Sequence, residues 1–267
     1  MSRTRTPTLL GIPFDGQSSY LRGAADAPAK IRAALASDAS NLWTELGVDV
    51  GADGVYEDAG DLRFGKGDPF PAIAAEVGAL IERGKRPILL GGDHSITYPV
   101  VQAAAERYRD LTIFHFDAHP DLYDEFEGNR LSHACPFARI MEAGLAKRLV
   151  QIGIRTMTAH QREQAQRFGV EVAEMRGLPA YEKLTAAGPI YVTFDMDVLD
   201  PAFAPGLSHR EPGGMSVREA IAHLQAIRGE IVAADLVEFN PVRDVGGMTA
   251  TVAAKILKEI LGKMIAA

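Results

Sequence analysis

The chain has 267 residues, 47% of them hydrophobic and 24% charged, with a formal net charge of −7. A chain of that length can bury a full core without disulfides, and the single cysteine, Cys135, rules out an intramolecular one. The acidic balance without a long basic run argues against nucleic-acid binding, and no apolar stretch reaches membrane-spanning length. Residues 1–7 run straight into an apolar strand, with no leader core or small-residue cleavage pattern. A cytoplasmic protein with no membrane contact is therefore expected.

In chain order, Thr8–Ile12 reads as a first strand, and residues 14–26 as a polar, glycine-bearing loop. Ala27–Leu35 reads as a helix with Pro28 in its first turn, where the missing N–H is harmless. Between 36 and 70 the chain is rich in Asp, Gly and Ser; Val48–Val50 predicts a short strand, and Val55–Asp61 a strand edge and loop. Ala72–Arg83 places Ile73, Val77, Leu80 and Ile81 on one helical stripe. Strand signals then follow at 87–90, 111–116, 148–154, 170–172, 190–194 and 231–238. Helical ones lie at 99–108, 136–144, 158–168, 217–225 and 249–261. Such alternation predicts right-handed βαβ units on a mostly parallel sheet, in one domain over 1–267. Ligands in such folds bind beyond the carboxyl ends of the strands.

Three acid- and histidine-rich segments sit at such ends. Gly91-Gly-Asp-His-Ser follows one strand, and Asp117, His119 and Asp121 follow another at spacing two. Asp195 and Asp197 repeat that spacing after a third. In an extended chain alternate side chains share a face, so these groups would converge. Each segment alone could be a loop or a helix cap; together they predict a metal centre. The candidate ligands are His94, Asp117, His119, Asp121, Asp195 and Asp197. The lack of a thiolate argues against a structural zinc knot, and oxygen-rich ligation with two imidazoles suits Mn²⁺, with Fe²⁺, Co²⁺, Ni²⁺ and Zn²⁺ as alternatives. Six ligands suit two ions sharing carboxylates, and ions roughly 3.5–4 Å apart can acidify a shared water near neutral pH.

At these residues the chain resembles the ureohydrolase family: arginases, agmatinases and related amidinohydrolases. The matching blocks are Gly91-Gly-Asp-His-Ser, Phe116-Asp-Ala-His-Pro-Asp and Phe194-Asp-Met-Asp-Val-Leu-Asp-Pro-Ala-Phe-Ala-Pro-Gly. The resemblance runs from Gly11-Ile-Pro-Phe-Asp to the last helix. It implies a three-layer α/β/α fold, two Mn²⁺ per chain, and assembly as a homotrimer or homohexamer. It also implies that His94 and Asp121 hold one ion, His119 and Asp197 the other, and that Asp117 and Asp195 bridge. Ser132-His-Ala-Cys-Pro-Phe resembles a family stretch that makes His133 the proton shuttle. Asp235-Leu-Val-Glu-Phe-Asn-Pro resembles one that makes Glu238 the carboxylate holding the guanidinium. Both roles are chemically reasonable: a departing amine must be protonated, and a guanidinium fork pairs with a carboxylate.

The sequence departs from the family at Leu207-Ser-His-Arg210, where the usual residues are Thr-Gly-Thr-Pro, and at Cys135, usually Thr. His209, Arg210 and Asn129 (beside Arg130) are candidates to bind a substrate carboxylate. Asp200 is read as orienting its neighbours, and Tyr123, Asp124 and Trp43 as structural. Motif similarity favours agmatinase-like hydrolysis of a guanidino group to urea and an amine. An arginase, a guanidino-acid hydrolase and a formimidoylglutamase are alternatives with carboxylate-tailed substrates. A non-catalytic metal-binding partner subunit and a one-ion, deacetylase-like amidohydrolase are the readings outside that class.

Overall fold

The computed structural model describes residues 5–266. Met1–Thr4, part of the stretch read for a leader, and Ala267 lie outside the described residues. The strands are β1 (Pro7–Ile12), β2 (Glu57–Asp61), β3 (Arg86–Gly91), β4 (Thr112–Phe116), β5 (Arg148–Ile154), β6 (Glu171–Glu174), β7 (Ile190–Asp195) and β8 (Ile231–Val237). They form one sheet in the order β2-β1-β3-β8-β7-β4-β5-β6. Every pairing in it is parallel, where a mostly parallel sheet was expected. Helical crossovers cover both faces of a parallel sheet, so its central strands read as continuous apolar runs. The edge strand β2 is instead polar and exposed along its whole length, which discourages pairing with another chain.

The helices are α1 (Ala27–Leu35), α2 (Pro69–Glu82), α3 (Thr97–Arg107), α4 (Pro136–Glu142), α5 (Ala159–Phe168), α6 (Val217–Ala226) and α7 (Met248–Ala266). α1, α6 and α7 pack on one face, with Ile31, Leu224 and Ile256 against Ile88, Phe114 and Phe194. α2 to α5 pack on the other, with Ile73, Val100 and Phe137 against Leu89, Ile113 and Tyr191. Burying each such side chain contributes about 1.5–3 kcal/mol. Local signals set the helix starts. The Asp68 side chain accepts from Phe70 N and Pro69 opens α2, so that helix begins three residues before Ala72, the start expected from the sequence. Capping boxes of Thr158 with Gln161 and Ser216 with Glu219 start α5 and α6. The strand expected at Val48–Val50 does not form: the region makes a single antiparallel bridge, Trp43 to Asp49, without a neighbouring strand to extend it. Among the described residues no helix is long and apolar enough to cross a membrane.

The register levels the strand ends. Leu90 pairs with Leu236, Leu236 with Phe194, and Phe194 with Phe116. The residues just beyond β3, β8, β7 and β4, which are adjacent in the sheet, therefore leave it at one height. Gly92 is the tightest point of that rim. A Cβ there would lie 1.7 Å from the backbone oxygen of Phe14, which also accepts from Asp93 N at 3.0 Å. Gly92→Ala is expected to lower stability by at least about 2 kcal/mol, because a backbone contact cannot yield as a side chain can. Gly78→Ala, in the middle of α2 with open space around it, is expected to add about 0.5–1 kcal/mol. Urea unfolding of the two variants would check both signs.

Candidate metal centre

The carboxyl ends of β3, β8, β7 and β4 deliver His94, Glu238, Asp195 and Asp117 to one place, and the turns beyond add His119, Asp121 and Asp197. All are buried except His119, which is partly open. His94 Nδ1 lies 3.2 Å from Asp117 Oδ2, 3.1 Å from Asp121 Oδ2 and 3.1 Å from Asp195 Oδ2. His119 Nδ1 lies 3.0 Å from Asp197 Oδ2 and 3.5 Å from Asp117 Oδ1. Asp117 thus faces both imidazoles. Asp121 reaches its place in a left-handed conformation, φ 48°, a strain that surrounding structure must hold.

His94 Nδ1 makes no hydrogen bond although it is fully buried. Its other nitrogen, Nε2, pairs with Thr193 Oγ1 at 2.9 Å, which directs the Nδ1 lone pair at the three carboxylate oxygens. A lone pair and three carboxylates aimed at one point repel unless a cation lies between them. The charges register the same conflict. Burial opposes charging His94, yet Asp117, Asp121 and Asp195 push it well above the ordinary histidine range. His119 is likewise raised to about 12, against the effect of burial, chiefly by Asp197 and Asp117. Burial and the like charges of Asp197 and Asp117 drive the Asp195 carboxyl well up. Asp117 stays well below its usual range despite burial, because His115, His119 and His94 surround it. The donor set fits a pair of divalent cations, for which these six side chains could be the ligands. His94, Asp117, Asp121 and Asp195 would face one ion, and His119, Asp117, Asp195 and Asp197 the other.

Sequence reasoning missed His115. Its Nε2 lies 2.7 Å from Asp117 Oδ2, and its ring stacks on Phe137. Gln151 Nε2 donates to Pro120 O at 2.6 Å and sits 3.1 Å from His115 Nδ1. The Pro120 carbonyl therefore fixes the amide nitrogen toward His115, leaving Nδ1 as acceptor and Nε2–H as donor to Asp117. A protonated nitrogen cannot ligate a metal, so His115 aims Asp117 instead. The only signal in the sequence was a histidine inside an apolar strand.

His133 and Glu238 meet beside this cluster. His133 Nδ1 lies 2.8 Å from Glu238 Oε1, which also accepts from His94 N at 2.9 Å. Glu238 is itself left-handed, φ 63°. Its Oε2 makes no hydrogen bond among the described residues and belongs to a side chain that lines the cavity. Burial works against charging His133, but Glu238, Asp121 and Asp93 raise it to about 9. Ser19 N–H opposes that second proton: it donates to His133 Nε2 at 3.1 Å, and only a bare Nε2 can accept. We therefore take the resting ring as neutral, with its proton on Nδ1.

A cavity of about 180 Å³ opens over the cluster, lined by Asp121, Asp195, Asp197, His119, His133 and Glu238 together with Ser19, Tyr123, Phe126, Thr156, Thr158, Gln161 and His209. His209 is partly buried, its ring 5.3 Å from that of His133, and burial lowers its proton affinity. Tyr123, read as structural, lines the cavity. Arg210 is exposed, with Nε donating to Pro205 O at 3.0 Å, and is not among the lining residues. Asn129 is not a lining residue either: its amide donates to Gln17 Oε1 at 2.6 Å and its oxygen accepts from Leu131 N. Asp200 accepts from Ala202, Gly213 and Gly214 N–H groups and so ties its own loop.

Removing the donor to Asp117 tests the supporting shell. His115→Ala is expected to weaken divalent-metal affinity about 10–100-fold, read by calorimetric titration of chelator-treated protein. Unchanged affinity would show that Asp117 needs no help to hold its orientation.

A family model described as the arginase family matches residues 5–262. Arginase 1, mitochondrial, from Oryza sativa subsp. indica is 47% identical, covering 96% of this chain and 81% of that protein. Agmatinase from Bacillus subtilis is 37% identical, covering 95% and 90%. The solved arginase from Medicago truncatula superposes with a TM-score of 0.92 at 44% identity, covering 98% of this chain and 88% of that one. The cytoplasmic location expected from the sequence is corrected here. The rice relative is named mitochondrial, as are plant arginases at 46% identity, and composition and net charge do not distinguish one aqueous compartment from another. Family match, sheet order and site geometry agree: this chain belongs to the arginase family, metal-dependent hydrolases of guanidino C–N bonds whose centres are binuclear.

Proposed function

We propose that this chain is an arginase, hydrolysing arginine to urea and ornithine. The observation that carries this is the part of the cavity lining outside the acid cluster. Its polar groups, besides the Ser19 hydroxyl engaged by His133, are the hydroxyls of Tyr123, Thr156 and Thr158, the Gln161 amide and the His209 imidazole. The acidic lining residues are Asp121, Asp195 and Asp197, which face the two cluster imidazoles, and Glu238, which pairs with His133. Asp124 is outside the lining and paired with His160 at 3.0 Å. The bare ammonium tail of agmatine would find no carboxylate there, whereas the tail of arginine brings its own and needs hydrogen-bond donors. The agmatinase-like substrate expected from the motifs gives way on this ground, and the arginase relatives at higher identity support the change. Mn²⁺ is the metal we propose, on the carboxylate-rich, thiolate-free donor set. The exposed apolar side chains of Val242, Val245 and Met248 support contact with another chain, which the family resemblance would make a trimer or hexamer, and the one continuous sheet supports a single domain.

In this reading Glu238 Oε2 holds the guanidinium, oriented by the two bonds that pin Oε1. The ion pair, when bound, supplies a Lewis acid that lowers the pKa of water to near neutrality. His133 stands beside the guanidinium and passes a proton to the departing amine, while Glu238 stabilises the imidazolium that precedes the transfer. Tyr123 and Phe126 shield the aliphatic part of the substrate from water.

Two measurements test this. With Mn²⁺ loaded, kcat/KM for arginine is expected to exceed that for agmatine, guanidinobutyrate and formimidoylglutamate; a preference for agmatine would reject the arginase assignment. His133→Ala is expected to lower kcat about 10²–10⁴-fold with metal content unchanged by elemental analysis, and wild-type turnover would remove His133 from the proton path.

A further inference from the structure

The loop between β1 and α1 is bound tightly to the His133 segment. His133 N donates to Gln17 O at 3.3 Å, and Asn129 Nδ2 donates to Gln17 Oε1 at 2.6 Å. The loop is anchored beneath by Asp93, which accepts from Gln17 N at 2.8 Å and Ser18 Oγ at 3.3 Å. This stitching brings Ser19 onto the His133 ring: its N–H and its Oγ lie 3.1 and 2.8 Å from Nε2. Ser19 is exposed and also lines the cavity.

These contacts divide the work of the ring. Nδ1 is engaged by the buried Glu238, so Nε2 is the nitrogen through which protons must pass. Of the two Ser19 groups there, the backbone N–H can only donate. Of these two groups only the hydroxyl can both donate and accept, and on the exposed Ser19 it lies between Nε2 and solvent. We propose that the Ser19 hydroxyl is a positioning residue that relays protons between solvent and His133 Nε2. The proposal rests on His133 being the proton donor to the departing amine.

Proton accounting gives the relay its task. Each turnover, the attacking water releases a proton to solvent, and the amine takes one from Nε2. The ring is then bare at Nε2 and must be recharged from outside. Ser19 Oγ–H gives its proton to Nε2 while Oγ accepts one from a solvent water or buffer acid. The Oγ–H bond broken is replaced by the one formed, and serine is neutral before and after. For the next transfer the hydroxyl gives up its bond to Nε2 to the amine nitrogen, a movement available to an exposed side chain.

The test uses the metal-loaded enzyme and Ser19→Ala, which keeps the Cβ and the backbone N–H. Its kcat is expected to fall about tenfold, as for loss of part of a proton-transfer path, with KM within about twofold. Raising the concentration of a small imidazole buffer is expected to restore kcat in Ser19→Ala but not in the wild type. Ser19→Thr, which retains a hydroxyl, is expected to recover most of the loss. Wild-type kcat in Ser19→Ala, or a loss that neither buffer nor Thr repairs, overturns the relay. His133→Ala in parallel separates the two levels. If it turns over normally, the reading of His133 as donor fails; if it is impaired while Ser19→Ala is not, only the relay fails.

Discussion

The structure depends on an electrostatic conflict placed at the rim of its sheet. Asp117, Asp121, Asp195 and Asp197 converge around two imidazoles in a desolvated position. Left alone, such a cluster opposes folding, because burial and mutual repulsion both disfavour the charged carboxylates. The fold holds it together by over-determining each member. Thr193 turns His94, the His115–Gln151–Pro120 chain aims Asp117, and backbone N–H groups of His119 and Asp197 clamp Asp117 and Asp195. These supports orient the acids, and divalent cations held there would offset their charge, which would couple folding to metal loading.

Sheet topology makes that convergence affordable in geometry. The first three strands occupy one side of the sheet and the next three the other, and the last two fill the centre between β3 and β4. The rim residues of β3, β8, β7 and β4 thus come from four separated parts of the chain yet sit side by side. Parallel register sets them level, and right-handed crossovers keep the helices on the faces and off the rim. The left-handed Asp121 and Glu238 are local departures from regular backbone at this rim. Each turns a side chain into the cavity that a continuing strand would have pointed elsewhere.

Two loops then convert a metal site into a site for a particular molecule. The segment carrying His133 is held by the β1–α1 loop through Gln17 and Ser19, and His209 lies against both, its ring 5.3 Å from that of His133 and 5.7 Å from that of Tyr20. Apart from the acid cluster and Glu238, the cavity lining carries no carboxylate, so the tail of the proposed substrate would meet hydroxyl, amide and imidazole groups.

Much of this was legible in the sequence. Apolar runs between helical periodicities marked all the central strands, because strands buried on both faces carry no polar alternation to confuse them. The pairs Asp117/His119 and Asp195/Asp197 pointed to a metal site by residue type and spacing, but not through an extended chain: beyond Asp195 the backbone turns into a 3-10 helix at Met196–Val198, and Asp121 is left-handed. Other features had no local trace. His115 looked like one more residue of β4, since its role exists only where Gln151 and Asp117 meet it. Ser19 read as loop, since its partner lies 114 positions away. Arg210 and Asn129 were plausible carboxylate ligands by type, but the structure turns one outward and spends the other on Gln17. Sequence by itself determined the chemistry of the centre, because ligand type and spacing are properties of the chain. Only the tertiary structure decided the strand order, the orienting shell and the face offered to the substrate's tail, because these are contacts between residues distant in sequence.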